Sequence, residues 1–168
     1  KVENLSKSFG AIKAVDDITF DVNEGEIVGF LGPNGAGKTT TMRLLSGFLS
    51  PDAGTVTIAG IPQNTDETRR HIGYMPENNP LYKDMLVSEM LDFSADLKHI
   101  PKAERKKAID FVVEATGIQH YYYYPTRELS KGYKQRVGFS IALLGQPPVI
   151  ILDEPTEGLD PNQRTEIR

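Results

Sequence analysis

The segment Gly32-Pro33-Asn34-Gly35-Ala36-Gly37-Lys38-Thr39 has glycines at its first and sixth places, then lysine and threonine. That spacing is the one a loop needs to wrap the phosphates of a nucleoside triphosphate. Its glycines let the main chain turn tightly, so that successive N–H groups point inward as an anion nest at a helix N-terminus. Lys38 would set a positive charge against the β- and γ-phosphates, and the Thr39 hydroxyl would ligate Mg²⁺. The candidate phosphate contacts are therefore Gly32, Asn34, Gly35, Ala36, Gly37, Lys38, Thr39 and Thr40. The competing reading is a glycine-rich turn beside a solvated lysine.

A second pair of chemically capable residues, Asp153 and Glu154, follows the apolar run Val149-Ile150-Ile151-Leu152. A carboxylate at the end of a buried strand is where Mg²⁺ finds its protein partner, which suits Asp153. Glu154 can act as general base toward an attacking water. Two adjacent acids in a loop are otherwise simply solvated. A third segment, Leu129-Ser130-Lys131-Gly132, reads as a serine N-cap and a glycine that expose a helix N-terminus, a weak anion site by itself.

These groups need elements to hold them. Glu26–Leu31, a short and nearly continuous apolar run, predicts a buried parallel strand before the loop. Helical spacing follows from Thr39 to Leu45 and stops near Gly47. Alternation at Ile18, Phe20 and Val22, and again over Thr55–Ile58, predicts half-exposed antiparallel strands. Ile72–Met75 predicts a strand stopped by Pro76. Helices are expected over about Val87–His99, from Pro101 to Gly117, and after Ser130, the last with Val137, Phe139, Ile141, Ala142, Leu143 and Leu144 inward. Val149–Leu152 reads as a fully buried strand, and Asp160-Pro161 as the start of another helix. The run Tyr121-Tyr122-Tyr123-Tyr124 could serve as a base-stacking platform or as a turn with half-packed rings.

The chain has 168 residues, enough for one domain with a sizeable core. A net charge of −4 argues against a broad nucleic-acid surface. Without cysteine there is neither a disulfide nor a thiolate metal site. No run of eighteen apolar residues occurs, so the sequence offers no helical membrane span of its own.

Taken in order, the phosphate loop, the Leu129-Ser130-Lys131-Gly132 segment, Leu152-Asp153-Glu154-Pro155 and Gly158-Leu159-Asp160 resemble the nucleotide-binding domain of ABC-family ATPases, across essentially the whole chain. The resemblance implies a P-loop NTPase (RecA-like) α/β core with an antiparallel β subdomain and an inserted α-helical signature subdomain. The expected division is 1–76, 77–145 and 146–168 within one domain whose C-terminal part is missing. It implies that Phe9 stacks on adenine, although a core or edge phenylalanine fits the same position. Ser130 and Gly132 would contact the γ-phosphate of ATP held by an opposite subunit, and Asp160 would sit at that dimer interface. Glu77 would join Thr39 and Asp153 around Mg²⁺. Partners implied are a second nucleotide-binding domain and transmembrane permease subunits, at the cytoplasmic side of a membrane, with no nucleic acid. The interval between Lys38 and Ser130 lacks a coiled-coil insertion, which is similar to transporter-type members. The alternative is a soluble ABC ATPase acting on ribosomes or DNA, and a third is a regulator that binds nucleotide without turnover.

Several positions depart from the family pattern. Glu77 stands where glutamine is usual, and Lys131 and Tyr133 stand for glycine and glutamine, similar to the bacterial drug, antibiotic and gliding exporter branch. Glu157 replaces a small residue before Gly158. Leu86 takes the place of a Ser or Thr that would form a capping box with Glu89, so Asp84 or Ser88 is expected to cap the helix unless it frays. His71, His99 and His120 all precede Asp153, and none matches the family's switch histidine. If the polypeptide ended at Arg168, the expectation is ATP binding with little hydrolysis.

Overall fold

The structure, a computed structural model, describes residues 1–63 and 65–155. They form a mixed α/β fold in two compact units, one over Lys1–Ile72 and the other from Gly73 onward.

In the first unit, β1 (Val2–Phe9) pairs antiparallel with β2 (Ile12–Phe20) and with β3 (Ala53–Ile58), and β4 (Ile61–Pro62) extends the sheet in the order β2-β1-β3-β4. Val2, Leu5, Val15, Val56 and Ile58 turn inward. Val56 and Ile58 alternate along β3, whereas Val2 and Leu5 are three apart across an irregularity in the β1–β2 register. Val22 lies past the end of β2 and is exposed. Helix α1 (Lys38–Leu45) buries Thr41, Leu44 and Leu45. Its C-terminal end is closed by the buried Gln63, whose Nε2 donates to the Leu44 carbonyl at 2.6 Å. A short α2 (Asp66–Arg70) starts on the Thr65 hydroxyl, which accepts from the Thr68 N–H.

The expected buried strand over 26–31 is not formed. Its backbone carries no strand pairing, Ile27 is 100% exposed and Leu31 97% exposed. An apolar run becomes a strand only where neighbours complete its ladder, and among the described residues none does. Within this run Phe30 meets Phe20 edge-to-face at 5.3 Å. Glu26 pairs with Asn23, its N–H donating to the Asn23 carbonyl at 3.1 Å and its Oε2 accepting from the Asn23 N–H at 2.7 Å.

The second unit is mainly helical. α3 (Val87–Leu97), α4 (Lys102–Thr116) and α5 (Lys131–Leu143) bury a common core that includes Val87, Leu91, Val112, Ile118, Val137 and Leu144. Each such side chain contributes about 1.5–3 kcal/mol through area removed from water. α4 starts after Pro101 and stops at Gly117, as the sequence predicts. In α5, Val137, Ala142 and Leu144 are buried, whereas Phe139, Ile141 and Leu143 are only partly so. The buried face of α5 is otherwise small or polar: Gly132, Gln135, Gly138 and Ser140. Small residues let neighbours approach closely, and Thr116 of α4 and Ser140 share a 2.8 Å hydroxyl contact.

The N-terminus of α3 is capped by neither Asp84 nor Ser88, contrary to expectation. Asp84 pairs with Arg127 at 2.6 Å. Instead Val87 N–H donates to the Tyr124 carbonyl and Ser88 N–H to the Tyr122 carbonyl, at 3.0 and 2.8 Å. Glu89 Oε2 accepts from Leu86 N–H at 2.9 Å, so one half of the capping box survives without a hydroxyl. The tyrosine run is therefore a turn whose carbonyls cap a helix. Tyr121 and Tyr122 pack on the core, while Tyr123 and Tyr124 are exposed.

Lys98, just past the end of α3, closes α5 in turn. Its Nζ donates to the carbonyls of Ala142 and Leu144 at 3.1 and 2.7 Å. Burial pushes its pKa down to about 8 from the ordinary 10.5. The unfolded chain thus binds more protons between those values, so the cost of burying the charge is present below pH 8 and relieved as pH rises toward 10.5. Urea unfolding of wild type and Lys98→Met across that window is expected to show wild type gaining relative stability with rising pH. A pH-independent difference would contradict the assignment.

β5 (Ile72–Met75) and β6 (Val149–Leu152) form a two-stranded sheet. β6 is not fully buried: Ile151 is inside, but Ile150 is 41% exposed. As with 26–31, four apolar residues signal a strand suited to burial without specifying what covers it. No helix among the described residues is long and apolar enough to cross a membrane.

Candidate nucleotide site

The phosphate loop takes the conformation its glycines permit. Gly35 and Gly37 have φ of +82° and +87°, where an L side chain is strained. The turn closes with Ala36 N–H donating to the Pro33 carbonyl at 3.2 Å, and Gly37 is the N-cap of α1. Lys38 folds back over the loop, its Nζ donating to the carbonyls of Gly32 and Pro33 at 2.9 and 3.0 Å. The ammonium is thereby held beside the first turn of α1, where backbone N–H groups and the helix dipole already favour an anion. Asn34, Gly35 and Ala36 are exposed; Lys38, Thr39 and Thr40 are half-buried in that first turn.

Gly37 carries a second constraint. A Cβ there would collide with the carbonyl of Ala14 in β2, whereas a Cβ on Gly35 would meet open space. Gly35→Ala should therefore cost about 1–2 kcal/mol, from backbone strain alone. Gly37→Ala adds an overpacking cost of about 1–3 kcal/mol. Urea unfolding of the two variants checks this order; equal losses would contradict it.

Phe9, at the end of β1, is 49% exposed, with Lys7 Nζ 5.9 Å from its ring centroid. The ring is therefore an open face rather than a core residue.

In the second unit, the carboxyl ends of β5 and β6 lie side by side, since Asp153 N–H donates to the Met75 carbonyl at 2.9 Å. Asp153, which follows β6, is 4% exposed. Glu154 is exposed, with φ of +51°. Non-glycine residues pay for that backbone only where surroundings over-determine it, often at functional turns. Glu77 follows β5 by two residues and is half-buried. One end of this small sheet therefore carries both the Asp153-Glu154 pair and the Glu77 loop.

Ser130 is the N-cap of α5, its Oγ accepting from the Tyr133 N–H at 3.3 Å. Ser130 is exposed and Gly132 buried. Glu157, Gly158, Leu159, Asp160 and the helix expected after Pro161 lie outside the described residues.

Nothing in the sequence alone marks Asn79, beyond Asn-Pro as a turn signal. The structure gives its side chain two bonds onto α5: Nδ2 donates to the Lys134 carbonyl at 2.6 Å and to Gln135 Oε1 at 3.3 Å.

The sequence pattern of the family described as "ABC transporter" matches residues 15–157. An uncharacterized ABC transporter ATP-binding protein of Methanocaldococcus jannaschii is 44% identical over 160 residues, covering 95% of this chain and 57% of that protein. The bacitracin transport ATP-binding protein of Bacillus licheniformis is 42% identical over 170 residues, covering 100% of this chain and 55% of that one. The chain thus spans a little over half the length of these relatives. Among solved structures, a dimeric post-hydrolysis state of an ATP-binding cassette with ADP and Pi superposes with a TM-score of 0.87 at 27% identity, over 99% of this chain and 78% of that one. With residues 15–157 matched by the family's pattern, the chain belongs to the ABC transporter family and has its P-loop NTPase fold.

Proposed function

We propose that this chain binds and hydrolyses ATP as the nucleotide-binding subunit of a membrane transporter of the exporter type. The observation that carries this reading is the phosphate loop: a turned glycine segment at a helix N-terminus, with the Lys38 ammonium held over it by the loop's own carbonyls. The names of the relatives, one of them a bacitracin transport subunit, favour a membrane partner over a ribosome or DNA.

In this reading the triphosphate lies on the amides of Gly32 to Thr40, with Lys38 against the β- and γ-phosphates. Phe9 stacks on the adenine. Thr39, Asp153 and Glu77 are the metal-binding residues; a buried carboxylate with a hydroxyl is a set of hard oxygen donors, which fits Mg²⁺. Mg²⁺, when bound there, offsets charge on the phosphate oxygens. Glu154 takes a proton from water as its oxygen attacks the γ-phosphorus. The bond from that phosphorus to the bridging oxygen breaks, and ADP and inorganic phosphate leave. Lys38 and the helix dipole stabilise the charge that shifts onto the leaving oxygen.

Ser130 and Gly132 face the γ-phosphate held by a second copy or a related subunit, and Asp160 lies at that interface. Two ATP molecules then join two domains, and hydrolysis releases them. The segment 78–99 receives the permease, at the cytoplasmic face of the membrane. Within one domain, 1–76, 77–145 and 146–168 form the three parts of the cassette. Glu77, Lys131 and Tyr133 support the exporter reading. The test is co-purification of the natural protein with its membrane partner, followed by ATPase assay in vesicles. ATP-dependent activity that rises with the partner is expected; absence of ATP binding would sink the reading.

A further inference from the structure

We propose that Asn79 is a positioning residue that ties the Glu77 loop to the signature helix α5, so that the two nucleotides contacted by one chain are sensed together. The inference rests on the ATP-site reading above.

Asn79 lies two residues beyond Glu77, in a left-handed turn with φ of +38° that closes by its own N–H donating to the Pro76 carbonyl at 3.0 Å. Asparagine tolerates that backbone better than most side chains. From this turn Nδ2 reaches the Lys134 carbonyl at 2.6 Å and the side-chain oxygen of Gln135, itself 5% exposed, at 3.3 Å. The Lys134 N–H donates in turn to the Ser130 carbonyl at 2.9 Å. A run of polar contacts therefore leads from the Glu77 loop through one residue of α5, Lys134, to the carbonyl of its N-cap serine.

The other side of the amide is equally fitted. Any Cβ at Gly138 would land inside the Asn79 side chain. Glycine in mid-helix costs about 1 kcal/mol relative to alanine, so its presence one turn below Lys134 has this packing reason. Helix α5 thus has a slot shaped for one amide. In the ATP reading, Glu77 attends the chain's own nucleotide while Ser130 attends its partner's. Asn79 fixes the offset between the two.

The test uses the natural full-length protein. Asn79→Asp keeps size and backbone preference but cannot donate to the Lys134 carbonyl while ionised. Asn79→Gly keeps the turn and removes the side chain. Both are expected to lower kcat at least tenfold and to flatten the ATP dependence toward a hyperbola. ATP affinity measured without turnover should stay within twofold of wild type. Gly138→Ala, which pushes the amide out from the other side, should give the same split. Wild-type kcat and cooperativity in both Asn79 variants would overturn the proposal, as would a parallel loss of ATP affinity and kcat. Failure of wild type itself to bind ATP would instead remove the reading on which the proposal stands.

Discussion

Lys38→Ala is expected to weaken ATP binding about 100- to 1,000-fold, equivalent to about 3–4 kcal/mol. The size follows from where the ammonium already sits. Two loop carbonyls hold Nζ at 2.9 and 3.0 Å over the first turn of α1, so little rotamer freedom remains to be lost when phosphate arrives. A charged donor beside a helix N-terminus is also the strongest kind of phosphate contact available to this loop. Lys38 does not belong to the core, and the variant should keep a wild-type unfolding midpoint. Isothermal titration with ATP, paired with a thermal melt, checks both parts. Undiminished affinity would place the triphosphate elsewhere.

Glu154→Gln is expected to lower kcat by about 10²–10⁴, the range for loss of a general base, while leaving ATP bound. Glutamine keeps the size and the left-handed backbone demand at a position with φ of +51°, but cannot accept the proton of the attacking water. In the proposed reading ATP drives the association of two subunits and hydrolysis reverses it, so the variant should accumulate as an ATP-bound dimer in gel filtration. A variant that hydrolyses at the wild-type rate would assign the base to another residue. A variant that fails to dimerise with ATP would separate dimer formation from nucleotide capture.

The parts of this molecule governed by local chemistry are the ones its sequence discloses. Gly37 and Lys38 announce the loop because only that spacing lets a backbone nest and an ammonium converge. Pro101 and Gly117 bracket α4 at its observed limits, since one fixes φ and the other ends a helix without strain. Whatever depends on distant neighbours stays hidden. Ile27 and Leu31 read as buried, yet burial needs covering strands, and none of the described residues supplies them. The cap of α3 went to carbonyls of Tyr122 and Tyr124, a long-range solution that no pattern around Leu86 encodes. Lys98 and Asn79 are polar residues whose partners lie more than forty positions away, so periodicity has nothing to say about them.

The central claim is that one triphosphate is shared by the loop around Lys38 and the acids that follow β6. The most direct measurement is a crystal structure of the natural protein with Mg²⁺ and a non-hydrolysable ATP analogue. Lys38 Nζ should then lie about 3 Å from a β- or γ-phosphate oxygen, with Asp153 on the metal or one water away from it. A triphosphate bound away from the loop, or an Asp153 carboxylate beyond the reach of a bridging water, would contradict the account.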